Sequence, residues 1–550
     1  MSFKTNKNQQ MGMNDPIYTM SDRELKILRG SWAEDFANCI FPNINEEPFS
    51  VLFSGRSDSK PNAPINVILG LLILKEQFGL TDEECMHQLI FNKQFQYALH
   101  TSSFKEQPVN DNTFRRFRNR TREYEEQTGV DLIKEAFTTL TEKIAGIMDI
   151  DPSVKRIDSA MISSGFRRMS RLNLMHETLR LASRRLKKNG NMTALAEKYG
   201  GDEEPKDIGY RLKRDDIKPK MDEMLGDAIK LLAEYPELLR QSEEFVGLER
   251  MVDDQSKMTE DGRVLKKGTE ISPESMQTPH EQDATFRKKA GKGNVGFVAN
   301  FTETCDGDKN LITGYDMQKN TYSDIQFSKD VLGAMPDGGG ETKTVIADGA
   351  YGSAEVLSIA ETKNVNMSTT SLSGGTRGTF EAQFKIDGEG IIKECPAGFA
   401  PIDARRGNGS YQAHFDSGVC ENCPNCDRCP GIFQKSAALI VVKDAALAIA
   451  EYAEKMNMEE HWELAKKRNG IEGVPSVLRR KYGIDHMREK GLFRKRQRLG
   501  FKLMAINATR LTKWMEDRVK LTFISWNGLV YDFLCLIITN QHPVSAIFSF

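Results

Sequence analysis

At 550 residues the chain is too long for one ordinary hydrophobic core, and three or four units are expected. Its 39% hydrophobic and 28% charged residues describe a folded protein with a wet surface rather than a chain of membrane spans. The formal net charge of −2 decides nothing about nucleic acid, because a neutral chain can still carry a basic stripe.

Residues 1–20 open as MSFKTNKNQQMGMNDP, a polar stretch expected to be disordered and without the pattern of a signal peptide. Residues 21–150 read as a helical N-terminal domain. Its most apolar run, VILGLLILKEQFGL, is interrupted by Lys75 and Glu76 and is too short to span a bilayer. Thr81-Asp82-Glu83-Glu84 is a capping box, followed by apolar residues at helical spacing, Met86, Leu89 and Ile90. A later helix, starting near Asn112-Thr113, runs through FRRFRNRTREY. It carries Phe114 and Phe117 on one side and Arg115, Arg116, Arg118, Arg120 and Arg122 around the rest. Two short helices before an arginine-rich third suit a DNA-binding module of helix-turn-helix type, with Arg115, Arg116 and Arg118 as candidate DNA contacts. The alternative is a solvated basic helix.

Near residue 153 the pattern becomes mixed α/β. SVKRIDSAMIS reads as a strand; residues 165–290 read as a helical insertion, with LNLMHETLRLASRRLKK as its clearest amphipathic piece. GNVGFVANFTE and NLITGYDMQ look like adjacent strands, and KTVIADGAYGS is a further buried strand ending at Asp348. Asp158 follows VKRI as Asp348 follows TVIA. A carboxylate at the end of an apolar strand is expensive to bury alone, so it is usually paired or holds a cation. Strands about 4.8 Å apart can bring two such groups to one divalent ion.

Between about 385 and 435 lies a cysteine-rich insertion, with Cys395, Cys420, Cys423, Cys426 and Cys429, and with His414 among them. Two-residue gaps let thiolates share one tetrahedral ion. Of these six candidates, Cys395, Cys420, Cys423 and Cys429 are the first choice as a structural zinc set, with Cys426 spare; reduced thiols without metal are the alternative. An odd total of nine cysteines, clustered in this way, argues for a reducing compartment and a metal site over a disulfide framework.

From about Lys435 to Trp514 the chain reads as helical. KKRNGIEGVPSVLRRK holds one carboxylate, Glu472, between two basic triplets, where Arg468, Arg479 and Arg480 can contact phosphates. Pro475 requires that the helix begin close to Glu472 or kink beyond it. Residues 479–502 carry ten Lys and Arg against Asp485 and Glu489, which suggests a DNA track. The tail, residues 516–550, is apolar but interrupted by Asp532, Asn540 and His542. It reads as a packed or partner-covered terminus more readily than as a membrane anchor.

Asp158 in KRIDSAMISS, Asp348 in VIADGAYGS and Glu472 in KKRNGIEGVPSVLRRKYG together resemble the DDE transposases of bacterial insertion sequences. The resemblance extends to PINVILGLLILKEQFGLTDEECMHQL, to NDNTFRRFRNR and to SPESMQTPHEQDATFRKKAGKGNVGFVANFTET, and covers roughly residues 35–515. It implies an RNase H-like catalytic domain over 151–515, with Asp158, Asp348 and Glu472 binding two Mg²⁺ ions, or Mn²⁺ in their place. It implies binding of double-stranded DNA at the element's ends, cleavage there, and attack of the freed 3′ hydroxyl on target DNA. Joining two ends implies a homodimer or larger assembly in a bacterial cytoplasm, associated with the nucleoid. The family's glutamate signature is Tyr, two residues, Arg, three residues, Glu, six residues, Lys. Arg468 and Glu472 match it; Ala465 stands at the tyrosine position and Arg479 at the lysine position. Ala465, Pro475 and the tail favour the main alternative, a transposase-derived DNA-binding protein that does not cut. A nuclease acting on RNA–DNA hybrids is a third reading.

Overall fold

The computed structural model describes residues 1–6, 15–54, 59–201, 208, 212–289, 291–337, 342–370, 380–434, 436–444, 446–448, 452 and 459–539, with side chains to residue 518. The chain divides into two compact units. The first comprises Met1–Asp151, Thr304–Thr313 and Gln497–Phe550; the second comprises Pro152–Glu303 and Gly314–Arg496.

In the first unit the helix Ile65–Phe78 is apolar around its whole circumference and is buried over nearly all its length. Lys75 and Glu76 do not interrupt it, because both are paired inside. Glu76 receives Lys502 Nζ at 2.6 Å and Arg498 Nε at 3.1 Å. Burial works to raise the Glu76 carboxyl, but Lys502, Arg498 and Lys75 outweigh it and hold the group below the usual range. The expected capping box forms: Thr81 Oγ1 accepts from Glu84 N at 3.2 Å, and Glu84 accepts from Thr81 N at 2.8 Å. The arginine-rich helix spans Asp111–Thr128 from an Asn110 cap and stops at Gly129, whose φ of +76° needs a glycine. The disorder expected of residues 1–20 does not hold for either described part of that segment. Ser2 N donates to Lys60 O at 3.1 Å, Lys4 N donates to Asn62 Oδ1 at 2.7 Å, and Asp15 caps the turn Pro16–Thr19. Residues 7–14 lie outside the described residues. The tail continues the helix Leu492–Thr539, described as backbone beyond 518, and residues 540–550 lie outside the description. Among the described residues no helix is long and apolar enough to cross a membrane.

The second unit is built on a mixed sheet. Its strands are β1 (Val154–Ser163), β4 (Thr285–Lys289), β5 (Lys292–Asp306), β6 (Lys309–Lys319), β7 (Lys343–Ala347) and β8 (Val365–Thr369); a separate hairpin joins β2 (Ser256–Thr259) and β3 (Gly262–Leu265). The sheet order is β4-β5-β1-β7-β8, with β6 also paired to β5. Strands β1, β7 and β8 run parallel, and β4 is antiparallel to β5. Ile157, Val345 and Ala347 on one face pack with Phe327, Tyr351 and Val356. This agrees with the expected mixed α/β class beside a helical N-terminal region. The insertion is helical through Arg171–Lys188, Arg214–Glu234 and Glu243–Gln255, around a core that includes Met175, Leu179, Phe245 and Leu248. It then turns to β structure at Ser256, earlier than the expected boundary of 290.

The cysteine-rich segment contains β9 (Lys385–Ile386) paired with β10 (Ile392–Glu394). It also contains a four-stranded sheet of β11 (Asp403–Gly407), β12 (Ser410–Asp416), β13 (Ile432–Phe433) and β14 (Ala437–Lys443), ordered β11-β12-β14-β13. Phe384, Ile392, Ala413, Phe415, Ile440 and Val442 form its own core. One expectation is thereby corrected: the chain after Lys435 is not helical at once, because AALIVVK alternates buried and half-buried positions as a strand.

Helix returns at Glu459–Arg468, passes through a 3₁₀ turn, Asn469–Glu472, and restarts at Gly473–Arg480. Pro475 is therefore in the first turn of a new helix, where its missing N–H costs nothing.

Candidate active site

Strand register sets the first pair of acids. Val154 pairs with Thr344, Lys155 with Val345 and Arg156 with Ile346, a constant offset of 190 that places Asp158 level with Asp348. Asp348 remains extended (φ −73°, ψ 160°), so both side chains stand on the same face of adjacent parallel strands. Ser159 N donates to Asp158 Oδ1 at 2.8 Å. Asp348 Oδ1 accepts from Gly349 N at 2.8 Å and from Thr370 Oγ1 at 3.0 Å, so one oxygen is fixed by the turn that ends the strand. Burial pushes the Asp158 carboxyl above its ordinary range. The Ser159 amide, Arg468 and Lys289 pull it down, and the Asp348 charge pushes it up again.

The same face receives the segment that carries Glu472. Arg156, two residues before Asp158, donates from Nε to Glu303 Oε2 at 2.6 Å and from Nη1 to the Lys467 carbonyl at 2.7 Å. A Cβ on Gly470 would lie 2.1 Å from Arg156 Nη1, so any side chain there would displace the guanidinium from the turn. Arg468 acts on Asp158 and reaches Glu472 Oε1 at 3.5 Å across one helical turn. Glu472 itself is exposed, 61% at its side chain. Thus Asp158 and Asp348 stand together, Arg468 joins them, and Glu472 is held at the rim through Arg468. Among the described residues no group of three or more His, Cys, Asp or Glu side chains is arranged to hold a metal ion. The two aspartates suit a hard cation such as Mg²⁺, which takes one or two carboxylates and completes its shell with water and phosphate oxygens.

The expected phosphate contacts divide. Arg480 is exposed. Arg479 is engaged, with Nε 3.1 Å from Asp485 Oδ2 and Nη2 donating to Met161 O at 3.2 Å. The continuous track expected over 479–502 is not present, because several of its cations are internal. Lys495 is 1% exposed and pairs with Glu281 at 3.3 Å, and in the first unit Lys502 and Arg498 are spent on Glu76. In the arginine-rich helix, Arg115 and Arg116 are exposed, whereas Arg118 is tied to Asp82 by two bonds of 2.6 and 2.9 Å. Arg118 is a structural residue in this arrangement, not a surface for phosphate.

All five clustered cysteines, Cys395, Cys420, Cys423, Cys426 and Cys429, line one small cavity. Phe399 N and Asn425 N approach the sulfurs of Cys395 and Cys423, each at 3.4 Å. Burial raises the Cys420 and Cys429 thiols, and the neighbouring cysteines add to it. His414 does not line this cavity; its Nδ1 is hydrogen-bonded to Asp403.

Sequence reasoning missed the residues that build the site from beneath: Arg156, Glu303, Asn300, Asp324 and Tyr351. Only Arg156 carried a local signal, two residues before Asp158 in KRID.

Fold and site together define an α/β protein with one acid, Asp158, midway along a parallel strand, a second, Asp348, just past the end of the neighbouring strand, and a third on a basic helical segment. Two family models match the chain: a transposase domain (DUF772) over residues 31–120 and a transposase DDE domain over residues 394–512. Together these matches support a DDE transposase of insertion-sequence type. Glu472, Arg468 and the cysteine cluster fall inside the second match; Asp158 and Asp348 lie outside both. No curated protein and no solved structure matches the chain.

Proposed function

We propose that the protein cuts DNA at the ends of its insertion sequence and joins the freed ends to target DNA, using Asp158, Asp348 and Glu472 in an RNase H-like core. The observation that carries this reading is the shared register of Asp158 and Asp348, which sets two carboxylates abreast on one face. Mg²⁺, or Mn²⁺ in its place, supplies such a site with charge neutralisation at the attacking and leaving oxygens of a phosphodiester. Asp158 and Asp348 bind and orient, and Arg468 offsets their mutual repulsion. Glu472 reaches them by a rotation of its exposed side chain once DNA phosphate draws Arg468 away. Arg468 and Arg480 hold the DNA backbone beside the acids, and Arg115 and Arg116 hold it in the N-terminal domain. The assembly on DNA is a homodimer or larger.

A structural zinc held by Cys395, Cys420, Cys423 and Cys429 belongs to the same reading. The cysteines line one cavity and backbone amides approach two of the sulfurs, but among the described residues no three of them are arranged to hold an ion, so zinc would have to draw them together.

The test is Mg²⁺-dependent nicking of DNA bearing the element's own terminal repeats. Asp158→Asn, Asp348→Asn and Glu472→Gln are each expected to lower the rate by about 10²-fold or more while DNA binding persists. Normal cutting by any one of them removes that residue from the site. If the wild-type chain binds these ends and never nicks them, the non-cutting alternative stands instead.

A further inference from the structure

The two aspartates stand on one face of the sheet, and what fixes their spacing lies on the other. Ser159 follows Asp158, so strand alternation turns its side chain to the opposite face. There its hydroxyl donates to Asp324 Oδ1 at 2.9 Å. Tyr351, in the turn that follows Asp348, is 1% exposed, and its hydroxyl accepts from Asn300 Nδ2 at 2.9 Å. Its backbone carbonyl accepts from Ser328 Oγ at 3.0 Å. Asp324, 4% exposed, is held by Arg287 Nη2 at 3.4 Å. The helix Asp324–Gly333 therefore ties the residue after Asp158, held by Asp324, to the turn after Asp348, held by Ser328.

We propose that Ser159, Asp324 and Ser328 are positioning residues that hold Asp158 and Asp348 at the spacing one divalent ion requires, by locking their backbones together from behind the sheet. The proposal rests on the carboxylate reading above. It assigns these residues no contact with DNA or with the ion.

The experiment is titration of the full chain with Mn²⁺, read by electron paramagnetic resonance, beside thermal melts in chelator. Ser328→Ala and Ser159→Ala, which remove one oxygen each, are expected to weaken Mn²⁺ binding by about tenfold or more. Phe327→Leu, a change on the same helix, is the control for lost packing alone. It is expected to lower the Tm while leaving the Mn²⁺ Kd within about twofold of wild type. Two hydroxyl variants that bind Mn²⁺ as wild type does, while Asp158→Asn does not bind it, would overturn the positioning role and leave the carboxylate reading intact. Mn²⁺ binding that survives Asp158→Asn would overturn both.

Discussion

Asp158 carries the electrostatic cost of the site. Its carboxyl is raised by burial above the unfolded value near 3.9, so the folded state holds its proton the more tightly. Its contribution to stability is accordingly lost as pH rises from that value through the folded pKa. In metal-free buffer at neutral pH, Asp158→Asn should therefore melt about 1 °C or more above wild type, with the two curves converging below about pH 4. A neutral-pH variant that melts below wild type in chelator would show that the buried charge is not strained. Both aspartates stand out in the sequence as acids that follow short apolar runs, although only Asp348 comes at a strand end and Asp158 lies inside Val154–Ser163. Tyr351, Asn300 and Asp324 do not stand out, because their hydrogen bonds join positions on different elements, and nothing local distinguishes them from ordinary core or cap residues.

At the scale of elements, a basic stretch read from sequence separates into a surface and an interior. Arg118 follows Phe114 by one helical turn, lies over its ring at 5.3 Å and meets Asp82 from the capping turn. Arg115 and Arg116 point outward on the same helix. Arg115→Ala and Arg116→Ala should each reduce the salt slope of DNA binding by about one and leave the Tm unchanged. Arg118→Ala should instead lower the Tm. Equal effects of all three on the salt slope, with no loss of stability from Arg118→Ala, would return Arg118 to the DNA surface. The helical spacing held part of this information; the partner Asp82, 36 residues upstream, did not announce itself. Lys495 shows the same limit, since its partner Glu281 lies far away in the chain, within a stretch the sequence marked only by resemblance. Pro475 shows the opposite. One of the two conformations its chemistry allows is the one adopted, a helix that begins just past Glu472.

Over the whole molecule, hydrophobic period and cysteine spacing mark the helical, mixed and cysteine-rich stretches in the sequence, but nothing in it announces that Gln497–Phe550 groups with Met1–Asp151. The strands inside the cysteine-rich insertion were not legible either, since short segments such as ARRG and HFD carry too few apolar residues to show a period. That insertion has both a small core and a cysteine-lined cavity, so metal would reinforce its packing. Protein purified without chelator should contain about one zinc per chain, and Cys420→Ser should remove it. Less than about half an equivalent in the wild type counts against the site. The central claim is that Asp158, Asp348 and Glu472 meet at one divalent ion, and localised cleavage by Fe²⁺ substituted for Mg²⁺ tests it most directly. With ascorbate and bound terminal-repeat DNA, the backbone should be cut near residues 158, 348 and 472 together, and excess Mg²⁺ should suppress all three cuts. Cutting confined to other segments, or at 158 and 348 without 472 on bound DNA, would contradict it.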